Sequence, residues 1–125
     1  MFNKKKQPPI KSLIAVGSRI EGSVTFADGL RVDGEVEGDI ASVAEQPSIL
    51  VISESAHVIG AVRADHVIIN GSVAGPVHAN ELLELQPKAR IQGDVHYRAL
   101  EMHQGALISG QLVPAEMPES EKPLL

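Results

Sequence analysis

Five histidines, His57, His66, His78, His96 and His103, are the side chains of this sequence best suited to binding a metal or moving a proton. Only His78 and His96 share a setting, each three residues after a glycine (Gly75 and Gly93). If the two glycines occupy equivalent positions in neighbouring strands, the imidazoles lie one above the other, ~5 Å apart. No carboxylate recurs at that offset and zinc takes three or four ligands, so the spacing favours a stacked polar ladder over a metal site. Asp33, Glu35, Glu37 and Asp39 alternate along the chain. Alternation puts them on one outward face, where a charged row discourages lateral strand pairing. No Ser-His-Asp set stands out by spacing. The glycine after Val32-Asp33 opens no strand-to-helix junction, so it forms no phosphate cradle. Cysteine is absent, which excludes thiolate zinc sites, iron–sulfur clusters, disulfides and thiol nucleophiles. The expectation is a non-enzymatic protein with no catalytic, cofactor-binding or metal residue.

The elements that carry these residues are set by a repeat. The unit aliphatic-x-Gly-x-aliphatic occurs as IEGSV, VEGDI, VIGAV, VAGPV, IQGDV and ISGQL, centred on Gly22, Gly38, Gly60, Gly75, Gly93 and Gly110. The glycines are 16, 22, 15, 18 and 17 residues apart, an average of 17.6. Both flanking positions are aliphatic in every copy, a period-2 signal that reads as a short strand with the glycine on its inward side. A glycine in a strand weakens it, so six in register require either a close approach of backbone or a sharp bend. Further aliphatic clusters within each period give three short strands per coil, with ~six residues per face. Asp28-Gly29, Asp33-Gly34, Asn70-Gly71 and Gln104-Gly105 supply turn positions that tolerate left-handed backbone. No amphipathic helical period of useful length appears between residues 12 and 113. The fold expected is an all-β, single-domain parallel β-helix of about six coils, with the excess of the 22-residue interval forming a loop across Ser42 to Ser48.

Composition agrees with an aliphatic core. Apolar residues make up 43% of the 125, but aromatics only 2%, namely Phe2, Phe26 and Tyr97. The net charge of −5 divides unevenly: residues 1–11 carry +4, residues 12–112 carry −7 and residues 113–125 carry −2. An acidic body argues against a nucleic-acid groove, since phosphate binding needs a basic face. No stretch approaches the ~18 apolar residues of a membrane span, and residues 1–11 do not lead into a signal-peptide core, so a cytoplasmic protein is expected. Residues 1–11, with Lys4, Lys5, Lys6 and Lys11 beside Pro8-Pro9, and residues 114–125, with three prolines among Glu and Ser, are expected to be disordered tails.

A rod of six coils is ~25 to 29 Å long, and its two ends expose unpaired backbone and a slice of aliphatic core. Neither tail offers an amphipathic cap. The terminal-coil residues Val16, Ile20 and Val24 at one end, and Leu107, Ile108 and Leu112 at the other, are therefore expected to carry end-to-end stacking of the chain into a polymer. The best rival of another class is a hexapeptide-repeat acyltransferase, whose aliphatic-Gly pairs recur every six residues. Here only Val16-Gly17 and Ile59-Gly60 fit that pattern. A monomeric solenoid adaptor that binds a partner along one face is a third reading.

The segments SRIEGSV, LRVDGEVEGDI, VIGAVRADHVIINGSVAGPVHANELLEL, PKARIQGDVHY and ALEMHQGALISGQLV resemble the bactofilins, over residues 12 to 113. What the resemblance implies is a right-handed parallel β-helix flanked by disordered tails, polymerising without nucleotide. It also implies a bacterial cytoskeletal scaffold at the inner face of the cytoplasmic membrane, linked to cell shape and to placement of cell-wall-modifying or polar client proteins. Many members carry a membrane-targeting segment at their amino terminus, which Met1, Phe2, Lys4, Lys5 and Lys6 resemble. Physically, an apolar wedge beside clustered lysines suits anionic lipid, at ~1 kcal/mol per lysine. One arm holds weakly; arms joined through a polymer gain avidity of ~100-fold or more.

Overall fold

A computed structural model describes residues 8–43 and 47–115. These residues form sixteen β-strands and no helix, wound as six three-sided coils. The first coil is β1 (Ser12–Ile14), β2 (Arg19–Glu21) and β3 (Val24–Phe26), and the second is β4 (Gly29–Val32), β5 (Glu35–Glu37) and β6 (Ile40–Ser42). The third begins with β7 (Ile49–Ile52) and β8 (His57–Ile59) and closes with the first half of β9 (Val62–Ile69). The second half of β9, with β10 (Ser72–Ala74) and the start of β11 (Val77–Leu85), makes the fourth. The rest of β11, with β12 (Arg90–Gln92) and β13 (Val95–Tyr97), makes the fifth, and β14 (Ala99–Met102), β15 (Leu107–Ser109) and β16 (Leu112–Pro114) make the sixth.

All pairings are parallel, each strand against its counterpart one coil away. One face is the six-stranded sheet β2-β5-β8-β10-β12-β15. The other two join into one sheet because β9 and β11 run through the corner between them, with a register irregularity between Ala79 and Leu82. Three faces keep the interior narrow, so aliphatic side chains fill it. Val36, Val58, Val73 and Ile91 stack from the first sheet, and Leu50, Val67 and Leu83 from the opposite side, all fully buried or nearly so.

The five-residue repeat is two strands and a corner rather than one strand. β2 ends at Glu21 and β3 begins at Val24, so Gly22 lies in the bend, and the same holds for its five equivalents. At Gly38 and Gly60 φ is 153° and 147°, a region that L side chains rarely adopt. A Cβ on either would fall on the carbonyl oxygen of the corner glycine one coil below. Bend and close approach thus act together. At Asp28-Gly29 the left-handed residue is Asp28 (φ 64°) and not the glycine. Gly34 is needed for space instead, since its Cβ would lie 2.5 Å from the carbonyl oxygens of Ala15 and Ser18.

The chain returns from the long interval through Ser48, whose buried hydroxyl accepts a hydrogen bond from the Asp65 amide at 3.0 Å. The Ser48 amide donates in turn to Asp65 Oδ2 at 3.1 Å. Residues 44–46 of the expected loop lie outside the described residues. Lys11, counted above with the basic arm, is tied to the body: its amide donates to the Gly29 carbonyl at 3.0 Å and its ammonium pairs with Asp28 at 2.9 Å.

Candidate self-assembly surfaces

The ends of the rod are the places where the repeat stops while its hydrogen-bonding pattern does not. β1, β2 and β3 each pair on one side only, as do β14, β15 and β16. Each end therefore presents three edge strands with free backbone donors and acceptors, a template for pairing with another chain.

The two ends differ in how much core they leave open. At the β1–β3 end, Ile14 and Phe26 are buried, and Ile20 and Val24 are partly buried against the core. Phe26, 6% exposed, places an aromatic ring in this cross-section. At the β14–β16 end the inward columns that hold Leu85 and Val95 terminate in Met102 and Leu112, which are 46% and 49% exposed. Leu100 and Ile108 pack partly buried beside them. No helix covers either end among the described residues.

The structure separates the six residues expected at the contacts. Ile20, Val24, Ile108 and Leu112 stand in the inward columns of Val36, Ile40, Ile91 and Val95. Val16 and Leu107 do not belong to the core slice. Val16 is a turn residue after β1, 71% exposed. Leu107 continues the outward column of Arg90 and is 59% exposed. Both stand at the rim of an end, outside the inward columns of the core. Leu13, which the repeat did not single out, is also exposed at the β1 rim. Its signal is parity: it lies between Ser12 and the inward Ile14. The five expected membrane-targeting residues, Met1, Phe2, Lys4, Lys5 and Lys6, lie outside the described residues. Within the described residues no helix is long and apolar enough to cross a membrane.

Along the flanks, His78 and His96 pair in register and stack at 4.3 Å between ring centroids and 8° between planes, as their spacing predicts. Burial, reinforced by the charges of Arg63 and His96, holds His78 below the usual histidine range. Asp39 and Asp94, which follow corner glycines, each accept a backbone hydrogen bond from the next coil, from Ala61 and Gln111, at 2.9 Å. Asp39 thus lies in the corner beyond β5, exposed but past the strand that carries Glu35 and Glu37. Hydrogen bonds from Ser53 and Arg31 hold the Asp33 carboxyl below its ordinary value. Glu84, Glu101 and His103 converge on one outer face, with His103 Nε2 3.4 Å from Glu84 Oε2.

A solenoid whose two ends present unpaired edge strands points to self-association. A family model described as "Bactofilin: Polymer-forming cytoskeletal" matches residues 12–113. The chain belongs to the bactofilin family. Among curated proteins, Bactofilin BacP of Myxococcus xanthus (strain DK1622) is 28% identical over 113 residues, an alignment that covers 83% of this chain and 45% of that protein. The chain thus spans less than half the length of that relative. No solved structure matches it. The bactofilin match begins at Ser12 and ends at Val113, the first residue of β1 and the middle of β16, so the family's shared unit is the solenoid.

Proposed function

We propose that this bactofilin is a non-enzymatic scaffold that polymerises end to end through its terminal coils. It does so without nucleotide, in the bacterial cytoplasm and at the inner face of the membrane. The observation that carries the reading is the open cross-section at β14–β16, where Met102 and Leu112 stand about half exposed beside three unpaired edge strands. Burying the remainder of these two side chains is worth ~2 kcal/mol, before any backbone pairing or burial of the Val16 and Leu107 rims. That is a contact of the right kind for a polymer whose subunits have the same cross-section. The family description supplies the same outcome, polymer formation.

Phe2 with Lys4, Lys5 and Lys6 would tether such a polymer to anionic lipid. With Lys11 held by Asp28, three lysines remain to each arm, ~3 kcal/mol, so retention at the bilayer depends on arms joined by assembly. The scaffold would position cell-wall-modifying or polar client proteins along its flanks. Sedimentation velocity of Leu112→Arg and Met102→Arg tests the assembly surface. Both sites are half exposed, so the monomer keeps its β signal while the polymer shifts to short species. Long polymers in both variants would overturn the assignment of this end.

A further inference from the structure

The cations of this acidic body are unevenly engaged. Seven Lys and Arg fall among the described residues. Lys11, Arg19, Arg31 and Lys88 each pair with a carboxylate, and Arg90 donates to the carbonyls of Ala89 and Gly105. Among the described residues, the side chains of Arg63 and Arg98 alone make no hydrogen bond or ion pair. They are not scattered. Arg63 is the register partner of His78, which pairs with His96, and Arg98 follows His96 by two residues. His78, Asn80, His96, Tyr97, Arg98 and Pro114 line a groove of about 450 Å³ on this flank, with Arg63 one rung below. Asp65, two residues after Arg63, is already occupied by the Ser48 amide and by Asn80 Nδ2 at 3.0 Å.

Two guanidinium groups without a partner among the described residues, beside a stacked imidazole pair, are a ready complement to carboxylates. We propose that this groove docks an acidic peptide segment of a partner protein, its carboxylates meeting Arg63 and Arg98 across His78 and His96. The dimensions favour a peptide. Arg63 to His96 spans two rungs, ~10 Å, and an extended chain advances ~3.3 Å per residue, so acids three residues apart reach both ends. A nucleic-acid strand is disfavoured because the patch is short and the body around it carries −7. The groups facing His78 are Arg63 on β9 and His96 on β13, with Arg98 beyond. Burial first, and then the charges of Arg63 and His96, oppose a positive charge on His78, and a bound carboxylate relieves that opposition. By linkage, peptide binding takes up protons and tightens as pH falls from 8 to 6. The proposal deepens the scaffold reading by naming the chemistry of a client contact, but the groove and the rod ends are separate surfaces.

The test uses the full chain and fluorescence anisotropy of a labelled Ser/Gly peptide with glutamate at every third position, beside its glutamine counterpart. The expected result is binding of the glutamate peptide only, at least ~threefold tighter at pH 6 than at pH 8. Replacing both Arg63 and Arg98 by Ala weakens it ~10-fold or more, the measure of two screened charge contacts, while polymer sedimentation is unchanged. His78→Gln keeps binding and flattens its pH dependence. Equal binding of the glutamine peptide, or undiminished binding by the double arginine variant, overturns the proposal. So does a single-stranded oligonucleotide that binds more tightly than the peptide. If Glu116, Glu119 and Glu121 changed to Gln raise peptide affinity ~10-fold, the chain's own acids fill the groove and the assignment to a partner is wrong. Polymers without peptide binding sink this inference alone; peptide binding without polymers sinks the scaffold reading alone.

Discussion

Gly60 and Gly22 occupy the same corner of different coils and differ in one respect. At Gly60, φ is 147° and a Cβ would fall on the Gly38 carbonyl oxygen, 2.6 Å from its carbon and 3.0 Å from Asp39 Oδ1. At Gly22, φ is 126° and a Cβ would meet nothing within 4 Å, because no coil lies beneath it. Alanine at either site costs ~1–3 kcal/mol for the backbone conformation alone. At Gly60 the two nearest obstructing atoms are backbone and cannot rotate away, so overpacking adds ~1–3 kcal/mol. For a solenoid of about a hundred residues, 1 kcal/mol shifts the melting temperature by ~4–8 °C. Gly60→Ala should therefore melt ~4 °C or more below Gly22→Ala, read by far-ultraviolet circular dichroism at one low protein concentration. Equal melting temperatures would refute the argument that stacking of coil on coil, and not the bend alone, demands glycine at the corners.

The pH dependence of stability should show two separate windows. His78, held below its ordinary value, keeps the folded state neutral there. Its contribution is present above the usual histidine range near ~6.5 and is lost as pH falls through that value toward the lowered one. His78→Gln should flatten denaturant midpoints between about pH 7 and 5, and an unchanged slope would contradict the burial argument. Asp33, also held low, gives up its contribution only in more acid solution, below ~4. Deleting residues 1–7 should abolish co-sedimentation with anionic vesicles while sparing assembly; unchanged lipid binding would remove the tether.

Much of this was legible before any coordinates. The glycine spacing gives coil number and period, since every coil of a solenoid must repeat the same cross-section. The offset of His78 and His96 from their glycines gives their stacking. Arg63 has that same offset from Gly60, so the ladder was readable as three rungs once residue type was ignored. Arg98 was not readable, because its place beside His96 depends on how the chain turns the corner beyond β13. Parity from the glycine also separates Ile108, inward, from Leu107, outward. Val16 escaped because it lies in a turn, where alternation carries no information. The strand reading of the repeat failed for a physical reason: aliphatic positions two before and two after a corner glycine mimic one alternating strand. The degree to which Phe26 closes one end could not be counted from spacing, since it depends on side-chain volume in a particular cross-section.

The central claim is that the open coils at the ends of the rod join copies of this chain into a polymer. Negative-stain electron microscopy of the purified full-length protein at micromolar concentration, without nucleotide or metal, tests it most directly. The account predicts filaments about as wide as one solenoid. Discrete monomers or small closed oligomers under the same conditions would contradict it.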